Sequence, residues 1–318
     1  MSTMGAAKQI ISASRRTDIP HYFSRWFENR LRAGRAEFRN SFGGKGEVSL
    51  LAEDVAGFVF WTKCAKPFHG ILETLRAEQR PYAFHYTITG IGGSSVEPNI
   101  PGTGKAIDDF LRVREGLPDS RAIQWRYDPI VLTDELDESY HVKKFAMIAQ
   151  RLRGATGVVN VSFIEPYVKS VRRLKEHETT SFRQVDPERH KTTARKKEQI
   201  RQVTVQRGGE LLRELSACAV QHGMQLRSCC NPEFGIPASQ CIGKELFSAY
   251  GDGIVEHLRQ GPSRPSCQCL KVVDIGMDNT CMGGCKYCYV VASQKVAARN
   301  YRAHDPSAEM MRVPAKPS

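Results

Sequence analysis

An α/β architecture is predicted, a parallel (β/α) barrel or partial barrel, and three observations carry it. Short runs rich in β-branched and aromatic residues alternate with runs of helical period across residues 1–228, the order of parallel strands joined by crossover helices. The length, 318 residues, suits one large α/β unit of this kind. Beyond residue 228 the periodicity fades while Gly, Pro and Cys rise, as expected where ligands rather than a core organise the chain. The expected division is a barrel-like domain over residues 1–228 and a Cys-rich metal-binding segment with its tail over 229–318, folded back across the barrel mouth.

The first strand is expected at residues 9–14, followed by a helix over 20–31 that carries Phe23, Phe27 and Leu31 on one face. Further strands are expected at 58–62, 82–87, 123–126 and 158–163, each dense in Val, Ile, Phe, Tyr, Trp or Thr. Helices are expected at 68–78, 103–115, 139–152 and 209–222. A sixth strand at 224–228 runs directly into Cys229 and Cys230. The glycine-rich pieces at 43–46, 90–93 and 102–105 match neither a P-loop nor a dinucleotide fingerprint and are read as loops.

Composition narrows the class. No apolar run reaches the ~18 residues of a membrane span, and residues 1–9 lack the apolar stretch of a secretory signal, so a cytoplasmic protein without membrane contact is expected. Ten cysteines in a reducing compartment point to metal binding rather than disulfides. Cys64 and Cys218 stand apart from the rest, and Cys218 reads as helix packing with Leu211 and Leu215. The net charge of +12 invites nucleic acid as a partner. Much of it lies between Lys169 and Arg201, and such a run is more often a solvated face, so nucleic acid is kept as the lesser alternative to a small-molecule substrate.

In parallel α/β folds chemistry gathers at the carboxyl ends of strands. Arg15, Arg16 and Asp18 follow the first strand, Lys63 the second, and Glu165 with Tyr167 the fifth, while Arg126 and Asp128 fall at the fourth. Each alone reads as a capping or bracing group. Together they offer cations suited to a carboxylate or an anionic substrate, with Arg126, Asp128 and Lys63 as catalytic candidates. An internal Arg126–Asp128 ion pair is the alternative. His85 and His141 are read as packed or surface residues rather than ligands.

The segment Cys281-Met-Gly-Gly-Cys285-Lys-Tyr-Cys288 is the sharpest motif. Three thiolates at this spacing can hold three irons of a four-iron, four-sulfur cluster and leave the fourth iron open. A zinc site is the alternative, and it would need a fourth ligand. Cys230 or its neighbour Cys229, with Cys241, Cys267 and Cys269, could supply four more thiolates for zinc or a second iron-sulfur cluster.

The C-x3-C-x2-C spacing, with Tyr287 in the aromatic slot, resembles the cluster motif of the radical S-adenosylmethionine (SAM) superfamily. That resemblance implies SAM bound at the open iron and an external electron donor such as flavodoxin or ferredoxin. Arg15 and Arg16 are candidates to anchor the cofactor, and Tyr289 to pack over its adenine.

The whole chain also resembles an uncharacterised bacterial family of unknown function with a radical-SAM-type C-terminal cysteine cluster. The matching stretches are Ile11-Ser-Ala-Ser-Arg-Arg-Thr-Asp-Ile-Pro20, Phe60-Trp-Thr-Lys63, Gln124-Trp-Arg-Tyr-Asp-Pro-Ile130, Ser239-Gln-Cys-Ile242, Cys267-Gln-Cys269, Asp274-Ile-Gly276 and Asn300-Tyr-Arg-Ala-His-Asp-Pro306. Labels given to such proteins are similar to spore photoproduct lyase, a DNA repair enzyme. Two departures are visible: Cys64 stands where the pattern has Asn, and Cys229-Cys230 doubles a single cysteine. The resemblance implies an iron-sulfur enzyme of radical SAM type, with a nucleic-acid lyase and a non-catalytic metal-binding module as rivals.

Overall fold

The computed structural model describes residues 7–40, 43–133, 135–165, 167–174, 182–183, 202–203, 205–261 and 266–311. In chain order the elements are β1 (Gln9–Ala13), α1 (Ile19–Tyr22), α2 (Ser24–Ala33), β2 (Arg35–Arg39), β3 (Lys45–Ser49), β4 (Val55–Thr62), α3 (His69–Ala77), β5 (Tyr82–Thr87), α4 (Thr103–Glu115), β6 (Ile123–Ile130) and α5 (Glu138–Arg151). They continue with β7 (Val158–Phe163), α6 (Val168–Leu174), β8 (Phe182–Arg183), β9 (Gln202–Val203), α7 (Val205–Gln221), β10 (Gln225–Ser228), α8 (Lys244–Phe247), β11 (Val273–Asp274) and α9 (Gln294–Arg302). Of the basic run, Lys175, Arg189, Lys191, Arg195, Lys196, Lys197 and Arg201 lie outside the described residues.

Seven strands form one parallel sheet in the order β10-β7-β6-β5-β4-β1-β11. From β1 to β10 the six expected strands neighbour one another in chain order, as successive right-handed crossovers produce. Among the described residues no pairing joins β10 to β11, so closure into a barrel is not seen. β2 and β3 form a separate antiparallel hairpin. No described helix is long and apolar enough to cross a membrane.

The two faces of the sheet differ in chemistry because side chains alternate along each strand. One face presents Ile11, Phe58, Phe60, Tyr82, Phe84, Tyr86, Ile123, Trp125, Tyr127, Val159, Val161 and Phe163, buried in the main core with the helices. Edge-to-face and tilted rings such as Phe27 on Phe60 and Trp125 on Phe145 fill it. The opposite face carries Ser12, His85, Gln124, Arg126 and Asn160, all buried. Segments from the C-terminal quarter cover this polar face: Cys241, Ile242, Leu246, Phe247, Cys269 and Leu270 pack there with Ile10, Val59 and Ala83. Some of its polar atoms find partners, as when the Asn160 amide donates to Gln124 Oε1 at 2.8 Å, while His85 Nδ1 has none among the described residues.

Local signals explain most helix ends. Asp18 accepts from the His21 N–H to start α1, Asp137 from Tyr140 to start α5, and Ser293 from Val296 to start α9. Gly34 ends α2 in the left-handed conformation, with φ of 71°. The single helix expected over 20–31 is two helices, because Phe23 leaves helical geometry (φ −131°, ψ 25°) and serves both as the cap that ends α1 and as the one that starts α2. The strand expected at 123–126 runs on to Ile130.

Candidate functional site

The C-terminal segment reaches the carboxyl edge of the sheet through β11, which pairs Ile11 with Val273 and Ser12 with Asp274. Asp274 then collects Ser12 Oγ at 2.9 Å, Ser14 Oγ at 2.6 Å, the Arg15 N–H at 3.0 Å and Arg16 Nε at 3.2 Å. Arg16 also meets Asp278 at 3.3 Å and the Gly276 carbonyl. Gly276 lies so close to β1 that a Cβ would fall 1.9 Å from Ser14 Oγ. Arg16, a candidate cofactor anchor by sequence, is thus engaged in holding this segment to the first strand.

From there the chain enters the three-cysteine loop, which is braced on several sides. Lys286 N–H donates to the Val96 carbonyl at 2.9 Å, and Asn99 Nδ2 to the Met282 carbonyl at 2.8 Å. The Arg173 guanidinium reaches the carbonyls of Lys286 (2.9 Å), Val291 (2.8 Å) and Cys288. Asn300, buried on α9, donates to the Asn279 carbonyl at 2.8 Å.

Cys281 and Cys285 face one space. A Cβ placed on Gly283 would stand 3.6 Å from each of their sulfurs, in ordinary contact, and 3.1 Å from Ile100 Cδ1. The backbone N–H groups of Asp18 and Gly283 favour the Cys281 thiolate, but more weakly than burial opposes it. Burial, then the charges of Asp18 and Cys288, pushes the Cys281 thiol up to about 12; burial and Glu97 push Cys285 up as well. Cys285 also lies within electrostatic reach of both Cys281 and Cys288. Thiols so placed favour their neutral form until a cation joins them. The Cys281 and Cys285 sulfurs, with Cys288 within electrostatic reach, are donors that fit a thiophilic metal group chemically. Among the described residues, however, no three His, Cys, Asp or Glu side chains stand in an arrangement that closes on a metal ion.

Beside this loop lies a buried network that no sequence motif announced. Glu97 is fully buried, and its Oε1 accepts Lys63 Nζ at 2.9 Å, Thr89 Oγ1 at 2.9 Å and the Tyr287 hydroxyl. Its other oxygen, Oε2, has no hydrogen-bond partner among the described residues. Burial alone would lower the Lys63 pKa, but the charges of Glu97, Cys285 and Asp128 outweigh it, so the ammonium is held charged. Asp18 ties the same corner together by accepting Thr62 Oγ1 at 2.8 Å and the Lys63 N–H at 2.9 Å.

A second group lies on the polar face of the sheet. Arg126 pairs with Asp128 and donates to Cys241 Sγ at 3.3 Å, and Asp128 in turn accepts from Ser162. Trp61 is placed between two guanidinium groups, Arg126 at 5.2 Å and Arg15 at 5.3 Å from its ring, and stacks on His85 at 4.2 Å. The Cys241 sulfur is 3.6 Å from Cys229, and it also hydrogen-bonds Cys269. Cys229 hydrogen-bonds Cys230, so Cys229 rather than Cys230 is the member that meets Cys241. Cys267 packs, half-buried, against the same cluster. The thiol hydrogen bonds from Cys229 and Cys269, with Arg126 behind them, hold Cys241 well below the usual thiol range.

The remaining candidates take plainer positions. Tyr289 is exposed and stacks on Tyr167 at 5.1 Å. His141 is buried between Tyr127 Oη (2.7 Å) and the Val131 carbonyl (2.9 Å). Cys64 is buried beside the second strand end, and Cys218 packs at the edge of the main core. Glu97, Asp274 and Tyr287 are the functional-site groups that sequence reasoning passed over or gave no partner. Their partners are remote in sequence, and only a position just after a glycine-rich loop could have marked Glu97.

No curated protein matches the chain. A family model described as "Domain of unknown function (DUF1848)" matches residues 10–290, a span from the first strand through the three-cysteine loop, and the chain belongs to that family.

Proposed function

We propose that this chain is an iron-sulfur enzyme of radical SAM type, built on an open, partial (β/α) barrel with its cysteine loop laid over the carboxyl edge of the strands. The observation that carries this reading is that the Cys281 and Cys285 sulfurs flank one point, each 3.6 Å from where a Gly283 Cβ would stand, next to the buried Lys63–Glu97–Tyr287 network. Cys281, Cys285 and Cys288 would hold the cluster. Such a cluster would supply one-electron reduction of SAM, the electron coming from an external donor such as a flavodoxin or ferredoxin.

The chain's own groups then have distinct tasks. Glu97 Oε2, buried and unpartnered, is an acceptor for an ammonium such as that of SAM. Lys63 pairs with the Glu97 carboxylate at 2.9 Å and offers a cation to a substrate carboxylate. Arg126 and Asp128, paired on the polar face, orient the strand ends from which a small substrate is addressed. Tyr289, stacked with Tyr167 at the rim, shields the site from water. Arg15 and Arg16 act through the walls they brace. Among the described residues no disulfide joins the cysteines, which suits a reducing compartment.

The test is anaerobic reconstitution with iron and sulfide, with spectra taken before and after SAM and product analysis for 5'-deoxyadenosine against methylthioadenosine. The expected result is a coloured protein with about four irons per chain whose spectrum SAM perturbs, and the loss of that iron in Cys285→Ser. A protein that takes up no iron and sulfide, or whose cluster ignores SAM, overturns the reading.

A further inference from the structure

We propose that Cys229, Cys241 and Cys269, completed by Cys230 or Cys267, bind a single zinc ion on the polar face of the sheet, separate from the Cys281–Cys288 loop. The proposal does not depend on the radical SAM reading.

Sulfur spacing decides between metal types. Cys229 and Cys241 are 3.6 Å apart, and a tetrahedral zinc with bonds of about 2.3 Å sets its sulfurs roughly 3.8 Å apart. A four-iron cluster places each thiolate on a different iron, with sulfides between them, and keeps those sulfurs out of contact. Contact sulfurs therefore fit one ion. Cys229 lies against Cys241 and within electrostatic reach of Cys230, and Cys241 within reach of Cys269; as placed no three of these sulfurs close on one ion, and rotations about Cα–Cβ bonds would bring them round it. Zinc rather than ferrous iron follows from the higher affinity of such a site for zinc.

Two independent features support thiolates here. The sulfurs already receive polar hydrogen bonds: Arg126 to Cys241 at 3.3 Å, Ser239 Oγ with Cys241 at 3.3 Å and the Ile242 N–H to Cys269 at 3.5 Å. Such outer contacts orient and neutralise metal-bound thiolates. Charge also balances, because four thiolates around one divalent ion leave two negative charges. Arg126 is buried against them, and among the described residues Asp128 is its only carboxylate partner. Arg15, whose charge reaches Cys269, has a buried Nε with no hydrogen-bond partner among the described residues. The ion would pin the loops after β10 and before β11 to the sheet.

The test is metal analysis and zinc-edge X-ray absorption on the full chain purified anaerobically. Expected are about one zinc per chain and a shell of four sulfurs at about 2.3 Å. Cys241→Ser and Cys269→Ser should each lose at least nine-tenths of the zinc with the iron content unchanged, while Cys285→Ser loses iron and keeps zinc. Absence of zinc from the wild-type chain, an oxygen- or nitrogen-dominated shell, a Cys229–Cys241 disulfide, or about eight irons per chain would overturn the proposal. If a serine variant does not fold, the wild-type absorption spectrum decides. Because iron and zinc are read separately, failure here is distinct from failure of the radical SAM reading.

Discussion

Glu97 shows what a single side chain contributes to this molecule. Its side chain is 1 % exposed and its ion pair with Lys63, 14 % exposed, is enclosed by Thr89 and Tyr287. Removing one member of a buried pair leaves the other charge uncompensated, which costs about 3–5 kcal/mol. Lys63→Met is therefore expected to destabilise the fold by that amount in chemical denaturation, and adding Glu97→Gln to restore part of the loss, because the two changes share one interaction. His141 gives a second residue-scale expectation. Burial holds its pKa below the ordinary histidine value, against the opposing pull of the Val131 carbonyl, Glu138 and Asp137, and Tyr127 contacts its ring. A histidine whose folded pKa is depressed binds protons less readily than the unfolded chain, so its stability contribution is complete above the unfolded value, about 6.5. As pH falls below that value, stability is lost at up to about 1.4 kcal/mol per pH unit. His141→Gln should show a shallower fall between pH 6.5 and 5 in the same measurement. The strand-end cations were legible in the sequence because type and position coincide. Their partners were not: Ser14 and Asp274 are 260 residues apart, and Tyr287 and Glu97 are 190 apart.

At the level of elements, the strands that read clearly are those whose outer-face residues are aromatic or β-branched, such as β4 with Phe58 and Phe60 and β6 with Trp125 and Tyr127. The β2–β3 hairpin did not read as strands, because Arg35, Glu37, Arg39, Lys45 and Glu47 dominate it and, although they alternate with smaller or apolar residues, only Phe38 and Val48 carry β-propensity. β11 is two residues long and has no local signal at all; pairing with β1 and the Asp274 bonds define it. That dependence is testable. Gly276→Ala would drive a methyl group into Ser14 Oγ, so it should cost about 1–3 kcal/mol. It should also raise amide exchange across residues 272–278 while leaving β6 protected. The cysteine loop has a comparable clamp in Arg173. Arg173→Met removes the donor from three loop carbonyls, and faster amide exchange over residues 286–291 is the expected outcome.

For the whole molecule, the sheet separates an aromatic face that makes the core from a polar face that makes the site, and both the radical SAM reading and the zinc site draw on the second. Net charge is the property most easily over-read at this scale. The chain carries +12, and binding through phosphate contacts must weaken steeply with salt. In a mobility-shift assay we expect retardation of duplex DNA only at low salt, lost by about 200 mM; a complex that persists above it would make nucleic acid the substrate. The place of β11 has a consequence in time. β1 leaves the ribosome long before β11, yet its outer edge is closed by Val273 and Asp274, with Ser12 and Asp274 separated by 262 positions. At roughly 5–20 residues per second, that edge stays unpaired for about 13–50 seconds of synthesis. An unpaired edge strand is an invitation to mispairing, so the nascent chain is most exposed to aggregation in that interval, and slowing translation over the codons between β10 and β11 should lower the soluble yield.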